Sequence, residues 1–200
     1  MHIAILTFQG FNELDSLIAL GVLNRVKKPG WRVTLCCPEP EVTSMNGVTV
    51  RAQSSLEDAA GADAVIVGSG IRTREVVETP ALLSRIRLDP ARQLIAAQCS
   101  GTLVLAKLGL VAGVPACTDL TTKPWVKEAG VEVLNQPFFA KGNVATAGGC
   151  LASPYLAAWV IARTEGVEAA ASALHYVAPV GEKDAYVANA LRCISPYLPG

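Results

Sequence analysis

Between positions 94 and 107 the chain passes from an apolar run, Leu94-Ile95-Ala96-Ala97, through Gln98-Cys99-Ser100-Gly101 into Thr102-Leu103-Val104-Leu105-Ala106-Lys107. This pattern predicts a buried strand, a sharp turn and a helix, with a single cysteine on the turn. A side chain so placed projects from the carboxyl edge of a sheet, where the next helix offers unpaired N–H groups and the positive end of its dipole. A thiol held there is expected to ionise more readily than usual, and the thiolate is the reactive form. Ala97 and Gly101 are the small residues that a tight elbow needs on either side, although glycine is more usual at the first of these positions.

The rest of the chain repeats the alternation. Residues 3–8 read as a buried strand, and Asn12 caps a helix whose apolar stripe includes Leu14, Leu17, Ile18 and Val22 before Pro29-Gly30 stops it. Residues 31–37, 48–52 and 64–67 read as further strands, the last ending at Gly68-Ser69-Gly70. A short helix is expected from position 54, another over 80–87, and the elbow helix is expected to end near Gly109. Short strands are then expected at 116–118, 131–133 and 144–147, a helix at 121–129, and tail helices at 153–163, 167–177 and 185–193. Alternating strands and helices imply an α/β fold: a three-layer sandwich, flavodoxin-like, with a mainly parallel central sheet, helices on both faces and ligands beyond the carboxyl ends of the strands.

With 200 residues, 51% of them hydrophobic and 17% charged, the chain is long and apolar enough for one large core, so a single domain over 1–200 is expected. Seventeen basic and seventeen acidic residues cancel, with no Lys/Arg stripe to neutralise phosphates, so no nucleic-acid partner is expected. The amino terminus lacks a charged leader, and the apolar stretch at 155–162 is too short to span a bilayer, so a cytoplasmic protein without membrane contact is expected. The six cysteines (Cys36, Cys37, Cys99, Cys117, Cys150, Cys193) have no C-x-x-C spacing and only two histidines accompany them. Free thiols are expected, with no metal and no cofactor.

Three strand ends carry chemical potential: Phe8-Gln9-Gly10-Phe11 with Asp15 beyond it, Gly68-Ser69-Gly70-Ile71, and Gln98-Cys99-Ser100. Parallel strands would bring them together. Cys99 is then the nucleophile, and Asp15 a carboxylate whose pKa a neighbouring thiolate would raise, fitting it for proton transfer. Backbone N–H groups near Gly70 and Ile71 and around Ser100 and Gly101 are the expected groups for binding substrate and stabilising negative charge. Asp15 alone could merely serve the helix start, three residues after Asn12, and Glu13 beside it is expected to be solvated. The other five cysteines read as buried small hydrophobes. His2 and His175 lack the spacing of metal ligands or of a catalytic base.

Together, Phe11-Asn12-Glu13-Leu14-Asp15, Val67-Gly68-Ser69-Gly70, the elbow itself and Gly142-Asn143-Val144-Ala145-Thr146-Ala147-Gly148-Gly149 resemble the ThiJ/PfpI superfamily, of the class I glutamine amidotransferase-like fold. The Leu14-Asp15 pair, the Cys99-Ser100-Gly101 elbow and Tyr176-Val177-Ala178-Pro179 look most like its isonitrile hydratase branch, which adds water to an isonitrile to give an N-substituted formamide. The resemblance implies that Cys99 attacks, that Asp15 handles protons and activates water, that the Ser100 hydroxyl tunes the pocket, and that Gly70 shapes an oxyanion-type site. It also implies a small-molecule substrate and a homodimer. Cys117-Thr118-Asp119-Leu120 stands where that branch often has Thr-Thr-His-Trp, and Gly148-Gly149-Cys150-Leu151-Ala152-Ser153-Pro154-Tyr155 lacks an acidic residue found there. The peptidase branch has histidine directly after the cysteine, where this chain has Ser100. A glyoxalase or deglycase using the same thiol, and a ligand-binding or redox-sensing module like the amino-terminal half of certain AraC-type regulators, are the other functions the resemblance admits.

Overall fold

A computed structural model of the protein describes residues 1–199; Gly200, the last residue of the expected domain, lies outside it. In chain order the elements are β1 (His2–Leu6), α1 (Glu13–Leu23), β2 (Arg32–Cys37), β3 (Glu41–Thr43), β4 (Thr49–Arg51), β5 (Ser54–Ser55), β6 (Ala64–Val67), α2 (Thr73–Glu78), α3 (Pro80–Leu83), β7 (Leu94–Gln98), α4 (Gly101–Lys107), α5 (Lys123–Glu128), β8 (Phe138–Lys141), β9 (Val144–Ala147), α6 (Ser153–Glu165), α7 (Val167–Val177) and α8 (Lys183–Ile194), with short 3₁₀ turns at Glu57–Gly61, Cys150–Ala152 and Ser195–Tyr197.

The main sheet runs in the order β5-β2-β1-β6-β7-β9-β8, parallel throughout except for β8 against β9. Its central strands are apolar on both faces because both are covered. Ile3 and Ile5 of β1 point into one core with Ile66, Val22 and Trp159, whereas Ala4 and Leu6 point into the other with Val65, Val67, Leu103 and Val126. Helices α1, α6, α7 and α8 cover the first face, and α2, α4 and α5 the second. This is the three-layer α/β sandwich that the alternation of strands and helices predicts. Among the five long parallel strands the order β2-β1-β6-β7-β9 reverses direction between β1 and β6. Open sheets of this kind bind ligands at that reversal, beyond the carboxyl ends.

Asn12 caps α1 as its position predicts, its side chain accepting from the Leu14 amide at 3.1 Å. Elsewhere the structure corrects local expectations. Strands at 116–118 and 131–133 reduce to one parallel bridge, Ala116 with Val133. The reason is that this segment is tied to the elbow and its neighbour strand: the Cys117 amide donates to Thr146 Oγ1 and Thr118 Oγ1 to the Cys99 carbonyl, each at 2.8 Å. Ser54–Ser55 is an edge strand beside Cys36–Cys37, and the short helix expected from position 54 begins only at Glu57, as a 3₁₀ turn. The helix expected over 80–87 closes at Leu83, and α2 precedes it. Strand β8 went unforeseen; it forms a hairpin with β9 across Gly142-Asn143, the kind of two-residue turn that joins antiparallel strands. No helix among the described residues is long and apolar enough to cross a membrane.

Candidate active site

The elbow is the most strained point of the backbone. Cys99 has φ of 47°, the one positive φ at a non-glycine among the described residues, and such a conformation costs on the order of 1–3 kcal/mol. Its surroundings hold it there. The Cys99 amide donates to the Ala147 carbonyl at 2.8 Å, and its carbonyl accepts from Thr118 Oγ1 at 2.8 Å. Gly101 begins α4 so close to β6 that an added Cβ would strike the Val67 carbonyl. The sharp turn therefore leaves the sulfur beyond the sheet edge instead of inside the helix.

Strand pairing then sets the company the thiol keeps. Asp15, in the first turn of α1, is fully buried; Ser69, just past β6, donates a hydrogen bond to Oδ2, while Oδ1 has no partner. Ser153 Oγ donates to the Asp15 carbonyl at 2.8 Å and so ties α1 to α6 at this point. Cys150, one turn past β9, supplies a second thiol. A carboxylate oxygen of Asp15 and the sulfurs of Cys99 and Cys150 all lie within 4.8 Å of one another. Asn12 Nδ2 donates to Cys150 Sγ at 3.2 Å, and Gln98 Nε2 lies 3.5 Å from Cys99 Sγ. The sequence reading left Cys150 among the packing thiols, and the structure corrects that: it stands in the site. It was legible only through strand order, since residues just past two adjacent parallel strands, β7 and β9, must converge.

Electrostatics overturns a second expectation. Burial first, then the Asp15 carboxylate and Cys150, push the Cys99 thiol far above the ordinary thiol range, so at neutral pH the sulfur keeps its proton. Burial likewise raises Asp15, against the lowering effect of the Ser69 hydrogen bond first and of the two neighbouring thiols after it. Burial and Asp15 raise Cys150 as well. The helix start at Gly101 does not outweigh desolvation and a carboxylate at close range. What the site holds is a thiol raised by burial beside a buried carboxylate that is raised as well.

The groups expected to bind substrate divide in two. The Gly70 amide donates to Ser100 Oγ at 3.1 Å and the Ile71 amide to the Gly10 carbonyl at 3.0 Å, so neither faces the cavity free. Gly70 serves close approach: a Cβ there would lie 2.5 Å from the Gly10 carbonyl oxygen and 2.9 Å from Phe11 Cα, where the loops after β1 and β6 bridge. Ser100 Oγ is also within 2.7 Å of Thr73 Oγ1, so this hydroxyl braces the elbow against the loop after β6. The Ser100 and Gly101 amides, at the start of α4, make no backbone hydrogen bond and remain the donors for developing charge. Glu13, expected to be solvated, is partly exposed and also accepts from Ser44 Oγ and Asn46 Nδ2, and the Ser44 bond above all lowers its pKa.

Above these groups opens a cavity of about 420 Å³, lined by Asn12, Met45, Ser69, Gly70, Ile71, Cys99, Ser100, Asp119, Thr121, Thr122, Trp125 and Cys150. Cys99 is only 3% exposed but lies on its floor, so the sulfur is reached through the cavity. Asp119, at the place where the resembled branch has histidine, is occupied in accepting from the Thr121 and Thr122 amides at 2.9 Å each, which starts α5. His2 is bonded to Thr34 at the opposite edge of the sheet and His175 lies exposed on α7, so neither serves Cys99.

Comparison with known proteins agrees with this architecture. A search of curated proteins gives no significant match. Among solved structures, the chain superposes on the VC2308 protein with a TM-score of 0.77 at 20% identity, covering 93% of this chain and 97% of that one. Drosophila melanogaster DJ-1beta gives 0.76 at 22% identity, covering 88% and 96%. An AraC family transcriptional regulator from Pseudomonas putida gives 0.74 at 16% identity, covering 88% and 99%. At these identities the likenesses establish the fold. The sequence model of the DJ-1/PfpI family matches residues 1–163, from the first strand through the elbow and both site cysteines into α6, and the chain belongs to that family.

Proposed function

We propose that this protein is a cysteine-dependent enzyme acting on a small electrophile, and that hydration of an isonitrile to an N-substituted formamide is the reaction its site fits best. The observation that carries this reading is the strained Cys99 beside the buried Asp15 on the floor of an open cavity. A terminal isonitrile carbon must gain both a nucleophile and a proton. A thiol whose proton can pass to an adjacent carboxylate supplies both from one place.

In the first step Cys99 Sγ forms a bond to the isonitrile carbon while its proton passes to Asp15 and then to that same carbon, giving a thioimidate. Water, deprotonated by Asp15, next adds to the carbon as the nitrogen takes up a proton. The C–S bond breaks, the sulfur recovers a proton, and the formamide leaves. The Ser100 and Gly101 amides, which have no backbone partner, stabilise charge in these steps, and Met45, Ile71 and Trp125 offer apolar contact to the substituent.

The test is turnover of p-nitrophenyl isonitrile by freshly reduced protein, followed as formamide. Turnover is expected, and is expected to vanish in Cys99→Ala and Asp15→Asn. An inactive wild type would remove the isonitrile. Lactate formed from methylglyoxal would place the same thiol in glyoxalase-like chemistry, whereas selective peroxide oxidation of Cys99 with neither turnover would favour a sensor. The proposed assembly is a homodimer, read by light scattering; a monomer at micromolar concentration would refute it.

A further inference from the structure

We propose that Asp15, Cys99 and Cys150 form a binding site for one thiophilic d¹⁰ cation of the Zn²⁺ class, and that its occupancy blocks the Cys99 nucleophile. The three donor atoms already lie within 4.8 Å of one another. Zinc bonded at about 2.3 Å to each of two sulfurs in tetrahedral geometry sets them about 3.8 Å apart, so the set closes with side-chain shifts under about 1 Å. Two sulfurs and one oxygen select a borderline-soft ion over Mg²⁺ or Ca²⁺.

An independent feature points to a ligand. Asp15 Oδ1 is a fully buried oxygen without a partner, and leaving a buried acceptor unmet costs about 1–3 kcal/mol. The donors are also held from behind. Ser69 fixes the other carboxylate oxygen, Asn12 Nδ2 donates to Cys150 Sγ, and Gln98 Nε2 lies beside Cys99 Sγ, all contacts that orient ligands and favour anionic sulfur. Cys99 and Cys150 both line the cavity, which supplies an entry path and a fourth position open to water. Binding displaces the two thiol protons to solvent as two metal–sulfur bonds form. Nothing is oxidised or reduced. The site shares its residues with the proposed reaction but does not depend on that reaction taking place.

The experiment titrates reduced full-length protein with Zn²⁺ against a chromophoric chelator, and with Cd²⁺ followed by the ultraviolet thiolate-to-metal charge-transfer band. One ion per chain and a band of two-thiolate intensity are expected. Cys150→Ser and Asp15→Asn are expected to weaken binding by at least about tenfold, whereas Cys36→Ser leaves it unchanged. In the wild type, which needs no variant to fold, Zn²⁺ is expected to protect Cys99 and Cys150 together from N-ethylmaleimide, read by peptide mass. No charge-transfer band, undiminished binding in Cys150→Ser, or no protection of either cysteine would overturn the site. Zinc binding in a protein without isonitrile turnover would leave the cation site standing and remove the reaction. Turnover undisturbed by saturating Zn²⁺ would do the reverse.

Discussion

Replacing Asp15 by asparagine separates the two effects this carboxylate has on Cys99. The substitution keeps the shape and an oxygen to accept from Ser69 while removing the charge. With a carboxylate oxygen and the sulfur no more than 4.8 Å apart, an effective dielectric of about 20 gives a repulsion of about 3.5 kcal/mol, which is about 2.5 pH units or a roughly 300-fold change in thiolate fraction. Desolvation, the larger cause of the raised thiol, is untouched by the change. The Cys99 titration midpoint should therefore fall by about 2 units or more yet stay above that of a free thiol. The assay is the pH profile of iodoacetamide alkylation at Cys99, resolved from the other cysteines by peptide mass. Turnover should nevertheless disappear, because the carboxylate that carries the proton is gone. A midpoint that stays put or moves upward would refute the electrostatic reasoning, since the Asp15 charge would then contribute nothing to the raised thiol.

The same variant should be more stable at neutral pH. Burial raises the Asp15 pKa above its ordinary value of 3.8, so between that value and the folded one the native state holds the proton more tightly and wild-type stability falls as pH climbs. The gain in melting temperature for Asp15→Asn should therefore shrink as pH falls toward that lower value, and a gap constant with pH would count against it. Gly70→Ala should cost at least about 1–3 kcal/mol in urea unfolding, because its Cβ would meet backbone on the neighbouring loop; wild-type stability would show that the loop yields. Ser100→Ala strips the Gly70 amide of its acceptor, at a cost of about 1–3 kcal/mol. It should slow turnover without ending it, and complete loss would return the hydroxyl to the chemistry.

What could be read in the sequence is what local pattern encodes. The apolar run, cysteine and small residue at 94–101 specify the elbow because a strand, a positive φ and a helix start each leave a mark within a few positions. Asn12 likewise marks the start of α1, and once the strands are parallel Asp15 must arrive near Cys99. Strand β8 left a weaker mark, since Pro137-Phe138-Phe139 alternates poorly and only the Gly142-Asn143 turn announces a hairpin. The bridge at Ala116 could not be told from a strand at all, because at the next residue, Cys117, the amide donates to Thr146 Oγ1 and the carbonyl accepts from Thr102 Oγ1, partners that a local pattern does not contain.

The reach of sequence reading ends where a property depends on what surrounds a group on all sides. A cysteine at a helix start reads as a ready thiolate. Whether it is one depends on how much water is left around the sulfur and on the sign of the nearest charge. Here α1 delivers a carboxylate and β9 a second thiol, while the cavity leaves Cys99 only 3% exposed, and each of these raises the thiol. In the proposed mechanism the reactive form is therefore made during the encounter, as the proton leaves sulfur for Asp15, and does not wait in the resting protein. A substrate that takes up a proton at the carbon under attack suits such a site; one that needs a standing thiolate does not.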